Sequence, residues 1–266
     1  MIAILTSSLK APGAIALVKA FRSFGYDAKR YLINNPNVNH IVRKSDYVVF
    51  RIGPNSFKGF DKLNDEINDT ALTKNLLAFD KIKTYKTLLE NNIPMPVTEI
   101  LGKHDMLKKL KLPVVLKVPC GNQGKGVELA STKEEFIEIK RQFLEYNNEI
   151  IAQEYIAESK GSDVRIIVAA GKVIAAMSRC NDRDFRANLH MGGEAKAYDP
   201  SDEEKIIAID SVAALGLDFA GVDILHSNRG SLVLEVNPSP GFGISEIVGF
   251  NVAEKIVEQL KKEGKI

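Results

Sequence analysis

The sequence predicts a mixed fold, α/β in its first part and α+β in the remainder, divided into more than one domain. Its 266 residues are enough for two or three small domains. Over residues 2–53, apolar runs alternate with a helical pattern, as in a small parallel sheet with crossover helices. Beyond NNIPMP, which breaks a helical stretch near residue 94, paired apolar runs joined by glycine-containing turns predict antiparallel hairpins.

The N-terminal part supplies three predicted strands, at residues 2–6, 28–33 and 46–53. A helical pattern between the first two runs from Pro12 to Phe24, and Gly25 stands where that helix should end. No GxGxxG follows the first strand, so the dinucleotide fingerprint is absent. The role of this part of the chain stays open.

A second helical stretch runs from Asn68 to Asn92, with apolar residues spaced for one or two amphipathic helices. Lys81 belongs to it, and the ordinary interpretation of such a residue is a solvated lysine on a helix face.

The next hairpin, residues 113–131, has features that suit a phosphate. Lys117 lies inside the apolar run VVLKV, where an ammonium is costly to desolvate unless an anion compensates it. Snorkelling at a sheet edge is the alternative. Gly121, Gly124 and Gly126 at the hairpin tip could bring backbone N–H groups close to phosphate oxygens and move as a lid. Many hairpins have glycine tips, so this signal is weak by itself.

A helix opened by Thr132 follows, with Glu135 three residues later as a capping box. Residues 149–158, EIIAQEYIAE, then predict a strand that runs into a connector. The connector's backbone could bond an adenine edge while Tyr155 or Ile156 packs on the ring. A plain buried strand end is the alternative.

Residues 161–179 predict another hairpin, with Asp163 on the same face as Arg165, and residues 180–198 predict a polar loop. His190 in that loop is a candidate general base or a surface residue. Three arginines could gather around an anion: Arg179, Arg183 and Arg186.

The last hairpin, residues 219–241, holds three oxygen-bearing side chains among apolar ones. If Asp223 lies opposite Glu235, period two sets Gly221 opposite Asn237 and places all three oxygen-bearing side chains on one face. This register also pairs Leu225 with Val233 and implies a loop at 227–231, in which Gly230 takes a positive φ. The opposite face is predicted to be core, made of Val222, Ile224, Leu232, Leu234 and Val236.

Two neighbouring carboxylates repel each other unless something positive lies between them. The pair is either the polar side of a half-exposed strand or a cation site. Three hard oxygen ligands without Cys or His suit Mg²⁺ held partly by substrate phosphates, which implies a nucleoside triphosphate.

The remaining segments are simpler. DPSDEE opens a predicted helix at 201–215 that Gly216 ends, residues 239–250 predict a loop, and an amphipathic helix closes the chain.

Composition excludes several classes of function. The net charge is +2, from 36 basic and 34 acidic residues, so no bulk attraction to nucleic acid or membrane is expected. The leading apolar run is too short for a secretory signal, and no stretch approaches the length of a membrane span. Cys120 and Cys180 form no CxxC pair, which favours a reduced, cytoplasmic setting without structural zinc. Cys120 has no His or acid nearby in sequence to activate it as a nucleophile.

Taken together, these motifs resemble the ATP-grasp superfamily. The match is narrower to the RimK-type amino-acid ligases, and it covers most of residues 75–255 in the right order. The segments that resemble them are PVVLKVPCGNQGKGV, IIAQEYI, GSDVRIIV, DFRANLHMGG, AGVDIL and LVLEVNPSPG.

The resemblance implies an ATP-grasp fold preceded by a small Rossmann-like parallel-sheet domain. The predicted divisions are an N-terminal domain at 1–75, a helical linker at 76–94, a central lid subdomain at 95–157 and a C-terminal subdomain at 158–266. Lys125 and Pro238 depart from the family pattern, in the lid and beside the metal ligands respectively.

The resemblance also implies roles for residues in each of these regions. The predicted nucleotide-binding residues are Lys81, Lys117, Gly121, Gly124, Gly126, Gln153, Glu154, Tyr155, Ile156, Asp163, Arg186 and Asn188. Those near the reacting groups are Lys117, Arg179, Arg186 and Asn188. The predicted ligands of two Mg²⁺ ions, for which Mn²⁺ could substitute, are Asp223, Glu235 and Asn237.

The implied activity is that of an ATP-dependent ligase, which activates a carboxylate as an acyl phosphate and transfers it to the amine of glutamate or a similar amino acid. The acceptor would be a protein C-terminus, a carrier protein or a small cofactor. We expect a homo-oligomer, a dimer or a tetramer, without nucleic acid or membrane partners. The alternatives are a small-molecule kinase on the same scaffold and a regulatory module that binds ATP without turnover.

Overall fold

The computed structural model describes residues 1–53, 70–121, 124–187 and 192–266. Three sheets follow one another along this part of the chain, one parallel and two antiparallel, so the predicted mixed fold is confirmed. The domain bounds given above stay a prediction. The helices and strands are β1 (Ile2–Thr6), α1 (Pro12–Ser23), β2 (Ala28–Leu32), α2 (Val38–Lys44), β3 (Tyr47–Arg51), α3 (Thr70–Phe79), α4 (Lys81–Glu90), β4 (Thr98–Leu101), β5 (Val114–Lys117), β6 (Val127–Ala130), α5 (Lys133–Leu144), β7 (Ile150–Glu154), β8 (Ser162–Ala169), β9 (Lys172–Cys180), β10 (Glu194–Ala197), α6 (Asp202–Ala214), β11 (Phe219–Ser227), β12 (Gly230–Asn237), α7 (Ile244–Val248) and α8 (Val252–Lys262).

The N-terminal sheet is parallel, with strand order β2-β1-β3. Its three strands and helix α1 match the predicted ones to within two residues, and Gly25 ends α1 with a φ of 87°. Because the strands are parallel, all their carboxyl ends lie at one edge, where Arg51 ends β3.

The second helical stretch is two helices, α3 and α4, which meet at Asp80. The side chain of Asp80 accepts hydrogen bonds from the backbone N–H groups of Ile82 and Lys83, and this starts α4 as a separate helix. Residues 68 and 69, where the prediction began, lie outside the described residues.

The four-stranded antiparallel sheet has the order β4-β7-β5-β6. Helix α5 packs on it through Phe136, which is buried with Leu116 and Ile150. The predicted capping box is present, because Thr132 and Glu135 each accept from the other's backbone N–H group.

The five-stranded antiparallel sheet has the order β10-β9-β8-β11-β12. Helix α6 covers one face, where Ile207 packs with Val222 and Ile224. On the other face, Ile167 belongs to a buried cluster that also contains Ile4 of β1 and the apolar side of α8. One core therefore joins the N-terminal sheet to the C-terminal part of the chain and fixes their relative position.

Two predicted loops contain regular structure. Strand β10 lies within the expected loop 180–198, and α7 within the expected loop 239–250. Both predictions of unbroken loop were wrong because β10 is a short, largely exposed edge strand without apolar alternation and α7 is a single turn.

Candidate active site

A cavity of about 400 Å³ lies where the two antiparallel sheets and the end of β3 meet. It is lined by nearly all the site residues predicted from the sequence. Gly126 does not line it, and Asn188 and His190 lie outside the described residues. The predicted residues that line it are Lys81, Lys117, Gly121, Gly124, Gln153, Glu154, Tyr155, Ile156, Asp163, Arg179, Arg186, Asp223, Glu235 and Asn237.

The hairpin β11–β12 has the predicted register at its carboxylate end. Asp223 lies directly opposite Glu235, and Gly221 opposite Asn237. The register then shifts at a β-bulge after Asp223. The tip is therefore tighter than predicted: Ser227 pairs with Gly230, whose φ is 97°.

The bulge also corrects the predicted faces. Val233 pairs with Ile224, and both belong to the core, whereas Leu232 pairs with Leu225 instead. Leu225 and Leu234 both line the cavity. Period two assigned Leu232 and Leu234 to the core and paired Leu225 with Val233. Leu232 is buried as predicted, whereas one extra residue in β12 turns Leu234 toward the cavity and pairs Leu225 with Leu232.

Two arginines hold Asp223, which is 4% exposed. Arg165 forms a bidentate contact, with its Nε 2.7 Å from Oδ1 and its Nη2 2.6 Å from Oδ2. Nη2 of Arg179 donates to Oδ2 at 2.8 Å, and Arg179 also binds both oxygens of Asp163 at 2.6 Å. Four charged side chains of β8, β9 and β11 therefore form one buried network.

The ionisation of this network follows from its geometry. Burial acts to raise the pKa of Asp223, but the charges of Arg165 and Arg179 outweigh it and lower that pKa to about 2. Burial and the charge of Asp223 raise the pKa of Asp163, although Arg179 opposes them. Burial acts to lower the pKa of Arg179, but both carboxylates outweigh it and raise that pKa. The network is held together by ion pairs between its charged members.

Glu235 and Asn237 are the more available oxygen ligands. The side chain of Glu235 is 41% exposed, and its Oε1 lies 3.6 Å from Nζ of Lys81. Oδ1 of Asn237 accepts one hydrogen bond, from the backbone N–H of Ser239 at 2.9 Å. Both oxygens of Asp223 already accept from guanidinium groups, so a cation would share that carboxylate with the arginines.

The donor set fits a hard cation that completes its coordination with phosphate oxygens. Two carboxylates and one amide are too few for an all-protein cage, and within the described ranges no cluster of three His, Cys, Asp or Glu side chains could hold a metal ion. Mg²⁺ is commonly bound by one or two carboxylates together with substrate phosphates.

Two lysines face these oxygens. Lys117 is 7% exposed, its Nζ donates to Oε1 of Gln153 at 2.5 Å, and burial lowers its pKa to about 8. Lys81 donates to the carbonyl of Gly121 at 2.9 Å and thereby approaches the base of the glycine turn. Among the described residues no carboxylate forms an ion pair with Lys117, and a buried ammonium of this kind suits an incoming anion.

Arg186 joins the glycine turn to the loop after β9. Its Nη1 donates to the carbonyls of Gly124 and Val127, at 2.9 and 3.0 Å, while Asp184 pairs with its Nε and Nη2. Gly126 has a φ of 70°, and a Cβ there would overlap the side chain of Val118. This glycine therefore shapes the turn without lining the cavity.

The connector after β7 forms another side of the cavity. The carboxylate of Glu154 accepts from Arg229 at 2.6 Å and from the backbone N–H of Val97 at 3.1 Å. The ring of Tyr155 meets that of Phe185 edge to face, with centroids 6.4 Å apart. Ile156 is buried. This side of the cavity is therefore apolar and has backbone polar groups nearby. Such a surface suits a flat heteroaromatic ring, which packs on apolar side chains and forms hydrogen bonds at its edge.

Sequence reasoning missed several lining residues. The sequence placed Arg165 on the face of Asp163, but the contact of Arg165 with Asp223 requires β8 to lie next to β11. Ile52 and Gly53, which follow β3 of the N-terminal sheet, also line the cavity. Their position at the carboxyl end of a parallel strand could have indicated this from the sequence. Arg183 is exposed and is not among the lining residues, so the three arginines do not gather around one point.

Comparison with known proteins gives a family match. The model of the RimK-like ATP-grasp domain matches residues 78–260. A protein of Legionella pneumophila (strain Corby) named probable alpha-L-glutamate ligase is 40% identical over 193 residues, which are 70% of this chain and 64% of that protein. The chain thus spans less than two thirds of the length of this relative. A protein of the same name from Aeromonas salmonicida (strain A449) is 38% identical over 244 residues, 86% of this chain and 82% of the other.

Solved structures with a similar fold are more distant in sequence. A D-cycloserine synthetase superposes with a TM-score of 0.76 at 17% identity, over 98% of each chain. D-alanine–D-alanine ligase from Bacillus anthracis, complexed with ATP, gives 0.71 at 17% identity, over 99% of this chain and 98% of that one. A RimK domain ATP-grasp protein from Sphaerobacter thermophilus gives 0.70 at 18% identity, over 97% and 98%. At such identities the likeness shows the fold alone.

Proposed function

This chain belongs to the RimK-like ATP-grasp family, and on that basis we propose that it is an ATP-dependent carboxylate–amine ligase. It forms a peptide or isopeptide bond through an acyl phosphate and adds glutamate or a similar amino acid to an acceptor acid. The name probable alpha-L-glutamate ligase, given to its relatives, supports glutamate as the amine. The acceptor is a protein C-terminus, a carrier protein or a small cofactor.

One observation carries this proposal. A single cavity gathers a buried lysine, a glycine turn, and the carboxylate and amide oxygens of the hairpin β11–β12. Phosphoryl transfer needs positive groups and donors around the transferring oxygens, because negative charge spreads over them in the transition state. In our proposal Lys81, Lys117 and the glycine turn hold the phosphates, and the connector Gln153–Ile156 holds the adenine.

The reaction we propose has two steps. A carboxylate oxygen of the acceptor attacks the γ-phosphorus of ATP, and the bond to the bridging oxygen breaks, which releases ADP. The amine of the amino acid then attacks the acyl carbon, loses a proton to the departing phosphate, and expels that phosphate with the former carboxylate oxygen.

The residues of the chain hold and shield these groups. Lys117 and Arg186 offset charge on the transferring phosphoryl group, with Asn188 near it, and the buried Arg179 keeps Asp163 and Asp223 in place. Asp163 would hold the ribose hydroxyls. The glycine turn, held by Arg186, keeps water from the acyl phosphate.

Mg²⁺ would be held by Glu235 and Asn237, with Asp223 shared between the cation and its two arginines, and Mn²⁺ is a possible substitute. When bound, such ions neutralise charge on the phosphates and orient them.

The setting we propose is the cytoplasm, because Cys120 and Cys180 are both free thiols. Nothing in the described part of the chain is a helix long and apolar enough to cross a membrane.

The proposal is tested by incubating the protein with ATP, Mg²⁺, a panel of acidic acceptors and hydroxylamine in place of the amino acid. A ligase forms a hydroxamate together with ADP and phosphate, because hydroxylamine traps the acyl phosphate. A kinase leaves a stable phosphorylated acceptor, and a regulatory module binds ATP without releasing ADP. Either of the last two outcomes would refute the ligase assignment.

A further inference from the structure

Arg51, at the carboxyl end of β3, is half-buried, and the described residues supply no counter-ion to its guanidinium. Its Nε and Nη1 are buried and have no hydrogen-bond partner. Within the described ranges, no carboxylate forms an ion pair with it. Burial lowers its pKa to about 10, so it still carries its charge at neutral pH. An unpaired buried cation is costly and calls for a functional explanation.

The guanidinium lies against the first turn of α1. A Cβ on Gly13 would overlap Nη2 of Arg51, so only glycine allows this approach. Ala11 precedes the helix and gives it no side-chain cap, and Pro12 occupies the first position. The positive end of the helix dipole and the charge of Arg51 therefore reinforce each other at one point.

This positive corner adjoins the cavity. Ile52 and Gly53, the next residues after Arg51, line it, and so does Gly241. The ring of Phe242, adjacent to Gly241, lies 4.8 Å from the guanidinium carbon of Arg51. The groups proposed to bind the phosphates, Lys81 and Lys117, belong to α4 and β5 instead, so a different anion is needed here.

We propose that Arg51 and the first turn of α1 bind the α-carboxylate of the amino acid whose amine attacks the acyl phosphate. The inference rests on the proposed ligase function and deepens it. Every α-amino acid has this carboxylate next to the attacking amine, so holding it orients the amine. Arginine suits it because a guanidinium donates several charge-assisted hydrogen bonds to carboxylate oxygens.

The test compares two amines in wild type and in Arg51→Gln. Hydroxylamine has no carboxylate, so hydroxamate formation from the acceptor should stay within about twofold of wild type. With glutamate, KM should rise by about 10- to 100-fold, the effect of losing a charge-assisted hydrogen bond. Replacing glutamate by isoglutamine, whose α-carboxylate is an amide, should abolish the difference between the variants. Glutamine, whose α-carboxylate is intact, should preserve it.

Two further variants keep this result interpretable. Arg22→Gln changes an exposed arginine on the last turn of α1 and should match wild type with both amines. Gly13→Ala displaces the Arg51 side chain without removing it and should reproduce the selective rise in KM for glutamate.

An unchanged KM for glutamate in Arg51→Gln, or an equal loss with both amines, would overturn this inference while leaving the ligase proposal intact. If wild type forms neither hydroxamate nor amide with any acceptor, the ligase proposal fails and the inference fails with it.

Discussion

Two arginines with buried guanidinium nitrogens, one on the five-stranded sheet and one at the end of β3, differ in their partners. Arg179, on the five-stranded sheet, is 4% exposed and donates to both Asp163 and Asp223 at 2.6 to 2.8 Å. Arg51, at the edge of the parallel sheet, has two buried nitrogens without a partner. The carboxylates raise the pKa of Arg179, whereas burial lowers that of Arg51 to about 10.

The difference in pairing distinguishes an arginine that stabilises the fold from one that is available to bind a ligand. A buried charge that is fully paired contributes to the fold, and removing one partner leaves the others uncompensated. A buried charge without a partner destabilises the free protein and is compensated only when an anion binds. The same substitution should therefore have opposite consequences at these two positions.

The largest effect is expected from Arg179→Met. It leaves Asp163 without its guanidinium and Asp223 with only Arg165, so the free energy of unfolding should fall by about 3–5 kcal/mol. Urea denaturation measures this. The matched control is Arg141→Met, which removes an exposed arginine paired with Glu138 and should leave the midpoint unchanged. A loss at Arg179 no larger than the control's would contradict the assignment of a cooperative buried network.

Glu235→Gln should act on turnover and leave stability nearly unchanged, unlike Arg179→Met. The side chain of Glu235 is 41% exposed with one distant ion pair, so the fold depends little on it. Losing a ligand of the cation should reduce kcat by at least about 100-fold, which is roughly 2.7 kcal/mol. ADP release is the measurement, with the exposed Glu246→Gln as control. Rates equal to wild type would remove Glu235 from the metal site.

Lys117 is a third case, a buried cation whose pKa is lowered to about 8. A lowered pKa means that the ammonium predominates only below pH 8, and ATP phosphates require the ammonium. Affinity for ATP should therefore fall as pH rises through about 8, approaching tenfold per pH unit. In Lys117→Arg, which stays charged, the profile should be flat between pH 7 and 9.

Calorimetric titration with ATP in the absence of acceptor, at pH 7 and at pH 9, measures the change in affinity. The exposed Lys83→Arg should retain the wild-type profile, and a flat wild-type profile would argue against phosphate binding by Lys117.

The smallest effect is expected from Arg51→Met in the free protein. Removing an unpaired buried charge should leave the free energy of unfolding unchanged or raise it by up to about 1 kcal/mol. Thermal denaturation of this variant and of Arg22→Met provides the comparison. A marked loss of stability at Arg51 would show that it is paired, and the contrast with Arg179 would disappear.

Local signals made part of this molecule predictable. The capping box at Thr132 followed from two residues, and period two paired Gly221 with Asn237 once Asp223 was taken to lie opposite Glu235. Each depends on contacts within one hairpin or one helix end.

The remainder depends on long-range contacts or on irregularities. The pairing of Arg165 with Asp223 requires β8 to lie beside β11, which no short pattern specifies. The bulge in β12, which turns Leu234 toward the cavity, adds a residue that strict alternation cannot reveal. The position of Arg51 beside the cavity depends on how the N-terminal sheet packs against α8.

The most direct test of the account follows the oxygen atoms of the acceptor. The acceptor acid is labelled with ¹⁸O in both carboxylate oxygens and incubated with ATP, Mg²⁺ and glutamate, and the released phosphate is analysed by mass spectrometry. An acyl phosphate intermediate predicts one ¹⁸O atom in each phosphate, because the attacking carboxylate oxygen leaves with it. Unlabelled phosphate accompanying amide formation would contradict carboxylate activation in this cavity.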